Sequence, residues 1–320
     1  MRFDDPLYGE KKVEEDVLQE LVGSRPVQRL KKIHQAGPQP FFIEKESMTR
    51  FPHSLGVMFL LREFDAPLEE QIAGLLHDVP HTAFSHVADF VFDNSDHEYH
   101  DQFLEEVVMD SEIPAILERH GLDVDYILDE DNFPLLERDA PDLCADRIDY
   151  FLRDVKMMSG EDVSHLHDAL VTRGNRFVLE DRERAEEYAL RYIQADEEWW
   201  ANPREVAVME IFSRAMNRAL EIGLIEEQDF FGTDRELLQV LRESDDEEIR
   251  EKLELLDSGF EIVRDREDYD FRVETKARYV DPQVAAEDMR RISELSEKVE
   301  ERIEEHRQDV ENGYCIRIKD

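Results

Sequence analysis

The chain has 320 residues, of which 41% are hydrophobic, and its 80 acidic and 39 basic residues give a formal net charge of −41. This hydrophobic content supports a buried core, and no run approaches the roughly 20 uncharged apolar residues of a membrane span. The charge disfavours binding to nucleic acid or anionic membranes, since both depend on Lys and Arg that neutralise phosphates. It is typical of a halophilic protein, because concentrated salt screens the repulsion between carboxylates.

The N-terminal stretch MRFDDPLYGE lacks the basic and then apolar pattern of a signal peptide, so we expect a cytoplasmic protein. The chain has two cysteines, Cys144 and Cys315, and they form no CxxC pair. A metal site in this chain would therefore use nitrogen and oxygen ligands.

Apolar residues recur at helical spacing through most of the chain, including 15–24, 54–63, 69–78, 100–110 and 205–223. Strand-like alternation occurs at 176–180, within 260–280 and at 314–320, and a long charged helix is predicted over about 281–306. The pattern predicts a mainly α protein. We expect a helical body over residues 1–245 and a small α+β C-terminal region over 246–320, with a soft boundary.

Six of the eleven histidines lie between residues 53 and 100, namely His53, His77, His81, His86, His97 and His100. A single histidine on an apolar helix is more often a core residue, but six of them beside Asp78 predict a functional site. On a helix, His77 and His81 would share a face, as in the zincin pair, although position 78 is Asp and no Glu follows His77. A cation bound without Cys needs imidazole and carboxylate ligands from separate elements.

The stretch DLCADRIDYFLRD (142–154) offers a further carboxylate. On a helix, Asp146, Tyr150 and Asp154 lie at i, i+4 and i+8 and share one stripe, with apolar residues on the other sides. The alternative is that these side chains are solvated in an acid-rich protein. The histidine cluster favours a polar stripe that faces a cavity.

The segment from Arg25 to Arg50 reverses the charge of the chain, with six basic and two acidic residues. A local excess of positive charge suits the binding of phosphate groups. For Lys31 and Lys32 we favour an exposed helix face.

Four stretches occur in the order TRFPHSLGV (49–57), LLHDVPHTAFSH (75–86), EYHDQF (98–103) and DRIDYFLRD (146–154). In this order they resemble the HD-domain metal-dependent phosphohydrolases, specifically the deoxynucleoside triphosphate triphosphohydrolase (dGTPase-like) branch. DPLYGE (5–10) and SRPVQRLKKIHQAG (24–37) resemble that branch as well. The resemblance covers about residues 4–155 and implies an HD-domain helical bundle with a metal-site core at about 25–157. The small C-terminal α+β appendage predicted from the residue pattern lies outside it.

The resemblance also implies roles for individual residues. One divalent metal ion (Mn, Mg, Fe, Zn or Ni) would be held by His53, His77, Asp78 and Asp146. The catalytic residues on the reacting side would be His81 and His100, with Asp89 able to orient His100. The substrate contacts would be Gln35, Arg50, His86, Arg147, Tyr150 and Asp154.

The implied reaction is the hydrolysis of dNTPs, such as dGTP, to a deoxynucleoside and triphosphate. Two alternatives use the same metal site, a nucleotidase or phosphomonoesterase and a phosphodiesterase; a third is a noncatalytic nucleotide-binding protein, against which the intact ligand set argues. The sequence departs from the branch at Val79-Pro80 and at WWANPREV (199–206), where Arg204 is the one obvious cation. Because relatives assemble, we also expect a homo-oligomer.

Overall fold

The protein is described by a computed structural model that covers residues 1–92 and 99–319, so His97 lies outside the described residues. The α-helices are α1 (Asp16–Val22), α2 (Arg25–Arg29), α3 (Gln39–Phe42), α4 (Arg50–Glu63), α5 (Leu68–Leu76), α6 (Val87–Val91), α7 (Leu104–Met109), α8 (Ile113–Arg119), α9 (Val124–Leu128), α10 (Ala145–Ser159), α11 (Ser164–Asp168), α12 (Arg182–Ala195), α13 (Pro203–Glu221), α14 (Asp234–Arg242), α15 (Glu247–Ser258), α16 (Ile292–Leu295) and α17 (Glu297–Glu311). Short 3-10 turns lie at Leu30–Lys32, Asp101–Phe103, Glu130–Asn132, Glu227–Phe231 and Ala285–Glu287, and a π-helical turn, Asp196–Trp200, follows α12. The predicted mainly α fold is confirmed.

The strands form three small sheets. They are β1 (Arg2–Asp5), β2 (Gly9–Lys12), β3 (Leu170–Thr172), β4 (Phe177–Leu179), β5 (Glu261–Arg264), β6 (Phe271–Val273), β7 (Gln283–Val284), β8 (Arg290–Arg291) and β9 (Tyr314–Lys319). β1 pairs with β2, the second sheet has the order β3-β4-β7-β8, and the third has the order β5-β9-β6. All pairs are antiparallel except β4 with β7, whose register joins Leu179 to Val284.

The buried apolar side chains form two clusters. The first contains residues of α1, α4, α5, α10 and α12, together with Val284 of β7 and Val299 of α17. The second contains residues of α6, α13, α14 and α15, together with Phe271 of β6 and Ile316 of β9. Packing is therefore continuous across the predicted boundary near residue 245, because elements after it contribute to both clusters.

The long helix predicted over about 281–306 is wrong in its first half. Residues 283–291 form a tight hairpin in which β7 and β8 are joined by a 3-10 turn, and the long helix α17 begins only at Glu297. The Asp281 carboxylate accepts hydrogen bonds from the backbone and the hydroxyl of Ser293, at 2.9 and 2.6 Å, and Asp288 has a φ of 53°. These side-chain bonds and the left-handed residue stop a helix from running through the segment.

His77 and His81 do not lie on one helix, so the zincin-like spacing has no structural counterpart here. α5 ends at Leu76, and residues 77–80 form a turn in which His81 N donates to Asp78 O at 3.1 Å. Pro80 is tolerated here because the turn requires no helical hydrogen bond from its backbone nitrogen, which has no N–H to donate. The two histidines are therefore brought together by the turn.

Across residues 1–92 and 99–319, every helix is too short or too polar to cross a membrane.

Candidate active site

Two packed helices and the turn after α5 bring three potential metal ligands together. His53 comes from α4, Asp146 from the first turn of α10, and His77 from the end of α5. His53 Nε2 lies 2.9 Å from Asp146 Oδ1, and His77 Nε2 lies 3.4 Å from the same oxygen. One ligand atom of each residue falls within 4.8 Å of the others, which is a spacing that a single cation could bridge.

The donor atoms of this group fit a divalent cation. Among the described residues, His77 Nε2 and Asp78 Oδ2 are buried without a hydrogen-bond partner. An orphaned imidazole nitrogen and an orphaned carboxylate oxygen are costly in a protein interior unless something binds them. Asp78 Oδ2 is 3.9 Å from His53 Nε2, so the fourth predicted ligand lies beside the other three. Imidazole and carboxylate ligands together suit Zn, Mn, Fe or Ni.

Charge within this group is concentrated between His53 and Asp146. Burial opposes protonation of His53, but hydrogen bonds to Asp146 and Asp149 outweigh it and raise its pKa to about 10. Burial also opposes ionisation of Asp146, yet the hydrogen bond from His53 and the nearby His77 ring hold its pKa well below the usual range. A bound cation would take the place of the proton between His53 and Asp146.

A buried ion-pair network lies behind His53. Asp149 of α10 accepts a hydrogen bond of 2.7 Å from His53 Nδ1, and it pairs with Arg153 one turn along the helix at 2.8 and 2.9 Å. Arg153 also reaches Asp5, and the Tyr8 hydroxyl donates to Asp149 at 2.9 Å. This network fixes the ring of His53 with Nε2 directed at Asp146.

This network was not predicted from the sequence. The signal was available, because Asp149 and Arg153 lie at i and i+4 within the stretch that supplies Asp146. Asp5 and Tyr8 belong to DPLYGE, a stretch whose resemblance to the family implies no role for either residue.

Arg50 holds the aspartate of the HD pair. Its Nη1 donates to Asp78 Oδ1 at 2.8 Å and its Nε donates to the Ser85 hydroxyl at 2.8 Å. His81 Nε2 lies 3.2 Å from the same aspartate oxygen, while His81 Nδ1 is buried without a partner among the described residues. Burial and the charges of Arg50 and His100 lower the pKa of His81 well below its usual value, so the ring is neutral. Because Nε2 faces the Asp78 carboxylate and carries the proton, Nδ1 of the neutral ring is a hydrogen-bond acceptor.

The predicted pairing of Asp89 with His100 differs from the observed contacts. Asp89 Oδ2 lies 3.0 Å from His86 Nδ1, and Asp89 Oδ1 accepts from Tyr99 N at 3.0 Å. His100 Nε2 instead lies 3.0 Å from Asp101 Oδ1. The reason is local, because Asp89 stands three residues after His86 at the start of α6 and faces it across that turn. The His100 ring stacks on His81, with centroids 3.4 Å apart.

A cavity of about 710 Å³ opens over the potential metal ligands. Its lining contains eleven of the thirteen predicted site residues: Gln35, Arg50, His77, Asp78, His81, His86, His100, Asp146, Arg147, Tyr150 and Asp154. The other two, His53 and Asp89, are buried and do not line the cavity. The cavity is large enough for a nucleotide.

The predicted substrate contacts differ in what they already bind. Arg147 donates to the carbonyls of Arg138 and Asp142 and to Glu137 Oε1 at 3.1 Å, so its guanidinium is largely occupied. Asp154 Oδ2 accepts from the Trp200 indole at 2.7 Å. Burial raises the pKa of Asp154, against this hydrogen bond and the Lys45 charge.

Aromatic side chains line the same side of the cavity as Asp154. The hydroxyl of Tyr150 is hydrogen-bonded to that of Tyr192, and the Tyr150 ring packs edge-on against Trp200 with centroids 5.2 Å apart. Trp199, Trp200 and Tyr192 all line the cavity. None of the three was predicted as a site residue, because they come from α12 and the π-helical turn, beyond the motif-bearing segment.

Comparisons with known proteins agree with this geometry. The HD domain family matches residues 50–154. The YdhJ protein of Bacillus subtilis is 39% identical over 99% of each chain, and the metal-dependent phosphohydrolase cns2 of Cordyceps militaris is 33% identical over 88% of this chain and 84% of its own. The deoxynucleoside triphosphate triphosphohydrolase SAMHD1 of Gallus gallus is 32% identical, over 40% of this chain and 24% of its own.

A solved structure shares the fold. The crystal structure of a hypothetical protein from Aquifex aeolicus superposes with a TM-score of 0.71 at 22% identity, over 94% of this chain and 93% of its own. The family match covers the segment that supplies every potential metal ligand, and the similarity to cns2 extends through most of both chains. The chain therefore belongs to the HD-domain family of metal-dependent phosphohydrolases.

Proposed function

We propose that this protein hydrolyses a nucleotide with one divalent metal ion held by His53, His77, Asp78 and Asp146, and that its substrate is a deoxynucleoside triphosphate. The observation that carries the proposal is the convergence of these ligands at a nucleotide-sized cavity, with His77 Nε2 and Asp78 Oδ2 buried and unpartnered among the described residues. A bound divalent ion supplies a water of lowered pKa and neutralises charge on a phosphoryl oxygen.

The residues around the metal ligands have separable roles in this proposal. Asp149 orients His53, and Arg50 holds Asp78 in place. His100 Nε2 gives a proton to the leaving oxygen, while His81 stays neutral and accepts a hydrogen bond at Nδ1. Tyr150 and Asp154 contact the sugar, and Gln35 lies at the 3′-hydroxyl side.

The triphosphate preference is supported by the similarity of 40% of this chain to SAMHD1, a deoxynucleoside triphosphate triphosphohydrolase. A second candidate is the hydrolysis of nucleoside monophosphates, and the charge of the cavity favours it. Among the described residues, nine acidic and six basic side chains line the cavity. Of these cations, Lys45 is paired with Glu205, Arg50 with Asp78 and Arg147 with Glu137. A monophosphate needs less compensation than a triphosphate.

Product identification separates the two reactions. Purified protein, with its metal content measured, is incubated with a panel of dNTPs and dNMPs, and the products are resolved by anion-exchange chromatography. Inorganic triphosphate from a dNTP supports the first reaction, and orthophosphate from a dNMP supports the second. Release of neither product from any nucleotide would contradict the proposed function.

The role of His100 has its own test. His100→Ala should keep the metal and lose turnover by about 10²- to 10⁴-fold, which is the usual contribution of a general acid. A matched control is His120→Ala, because His120 pairs with Glu20 at the surface and does not line the cavity. Loss of bound metal in the His100 variant would instead place His100 among the ligands.

A further inference from the structure

Part of the cavity wall comes from the C-terminal region, outside the HD-domain match. Residues 275–279 follow β6 and line the same cavity as the potential metal ligands. This segment includes Lys276 and Arg278, so two of the six basic side chains in the lining come from beyond residue 245. No motif in the sequence connects this segment with the HD core.

Arg278 differs from the other arginines of the cavity. Arg50, Arg138 and Arg147 each donate a hydrogen bond to a carboxylate, of Asp78, Asp142 and Glu137 respectively. The nearest carboxylate to the Arg278 guanidinium is Asp196, whose Oδ1 is 3.9 Å from Nη1, beyond hydrogen-bonding distance. In the described part of this acid-rich chain, the guanidinium of Arg278 thus lines the cavity without a hydrogen bond to a carboxylate.

The charge of Arg278 reaches the HD core across the cavity. Burial is the main cause that lowers the pKa of His86 to about 4, against the Asp89 carboxylate, and the Arg50 and Arg278 charges contribute in the same direction. Burial raises the pKa of Tyr150, and the Arg278 charge is among those that oppose the rise. Arg278 therefore acts on side chains that the proposed function places at the substrate.

A buried carboxylate fixes the backbone of this residue. Arg278 N donates to Asp196 Oδ2 at 2.8 Å, and His306 Nε2 of α17 lies 2.8 Å from the same oxygen. Asp196 and His306 are both almost fully buried, at 0% and 1% exposure. Asp196 also begins the π-helical turn that carries Trp200, so the aromatic wall and the arginine share one anchor.

We propose that Arg278 binds a phosphate group of the substrate and that the C-terminal region thereby takes part in substrate selection. The inference rests on the proposed function, in that the ligand is a phosphorylated nucleoside. The planar guanidinium suits a phosphate because it donates two parallel hydrogen bonds, which a lysine does not. Because Arg278 lies on a segment outside the HD core, a substitution at this residue should alter phosphate binding without disturbing the metal ligands.

The test compares Arg278→Gln with wild type in the metal-loaded full chain. Hydrogen bonds to charged groups contribute about 1.5–3 kcal/mol, which corresponds to a roughly 10- to 100-fold weakening. We expect KM for the accepted nucleotide to rise at least tenfold, with kcat changed less than threefold. By calorimetry, orthophosphate affinity should fall by a similar factor, while affinity for deoxyadenosine should stay unchanged. Arg278→Lys should recover part of the loss.

Arg272→Gln is the matched control, because it removes the same charge from β6 at a half-exposed position that does not line the cavity. If the Arg278→Gln and Arg272→Gln variants have the same KM and the same orthophosphate affinity, Arg278 does not bind a phosphate. The inference is then wrong, although the proposed function can still hold if the protein hydrolyses nucleotides. A third outcome is that the wild type binds orthophosphate but hydrolyses no nucleotide, and that only the Arg278→Gln variant loses this binding. In that case the anion site stands and the proposed function is wrong.

Discussion

The cavity has two walls: the HD-core wall, formed by residues of the HD-domain match and the network behind them, and the C-terminal wall, formed by residues 275–279. Charged side chains are paired differently on these two walls. On the HD-core wall, buried charges are compensated, as in the network where Asp149 bonds both His53 and Arg153. On the C-terminal wall, the Arg278 guanidinium lies 3.9 Å from the nearest carboxylate, and it is the backbone of this residue that is anchored. Hydrogen-bonded networks fix their members in one arrangement, whereas a guanidinium without a hydrogen-bonded carboxylate can still bind an anion.

This difference separates two tasks. A metal ion needs ligands held within a few tenths of an ångström, which the buried network behind His53 provides. A substrate phosphate needs a donor that is positioned but not already occupied. Changes to the HD-core wall should therefore act on metal binding and stability, and changes to the C-terminal wall on KM.

The largest effect is expected from Asp146→Ala. Both His53 and His77 lie within 3.4 Å of Asp146 Oδ1, so its loss removes the oxygen on which the group converges. We expect no bound metal by elemental analysis and no hydrolysis, with an unchanged far-ultraviolet circular dichroism spectrum. Asp139→Ala is the control, since Asp139 is an exposed acid of the same cavity. Full activity of metal-free Asp146→Ala protein would refute the assignment of the site.

Adding a methyl group at Gly56 should disrupt the buried ion pair between Asp149 and Arg153. A Cβ atom there would stand 2.0 Å from Arg153 Nη2 and 2.1 Å from Asp149 Oδ1, and neither side chain can move aside without breaking the buried pair. We expect Gly56→Ala to lower the free energy of unfolding by about 3 kcal/mol, as measured by urea denaturation.

Gly23→Ala is a suitable comparison for this change. Its added Cβ would meet only backbone oxygens at 3.4 and 3.5 Å, and its φ of −79° is open to alanine. Equal stability of the two variants would show that the network behind His53 is not tightly packed.

A smaller and more selective effect is expected from Asp149→Asn. The amide keeps the shape of the carboxylate but removes its charge from between His53 and Arg153. Because partners that orient metal ligands typically contribute 10- to 100-fold to affinity, we expect the metal dissociation constant to rise by that factor. Asp154→Asn on the same helix should leave metal affinity unchanged. A wild-type dissociation constant in Asp149→Asn would contradict the orienting role.

The sequence predicted the HD-core wall far better than the C-terminal wall. His53, His77 and Asp146 stand in short motifs with recognisable neighbours, so their convergence could be expected before the fold was known. Arg278 stands in no motif, and it reaches the cavity because Asp196 and His306 hold its segment there. The helix predicted through Asp281 failed for a related reason, since side-chain bonds to Ser293 override the helical pattern of charges.

The smallest effect is expected from His306→Gln, which loosens the anchor of the C-terminal wall. His306 Nε2 lies 2.8 Å from Asp196 Oδ2, and the glutamine amide reaches the carboxylate with less fixed geometry. A single hydrogen bond contributes about 0.5–1.5 kcal/mol, so KM should rise about two- to tenfold while bound metal stays constant. His120→Gln, at a surface histidine, serves as the comparison. Reduced metal content in His306→Gln with unchanged KM would mean that the two walls are coupled through the core, and that substrate selection lies elsewhere.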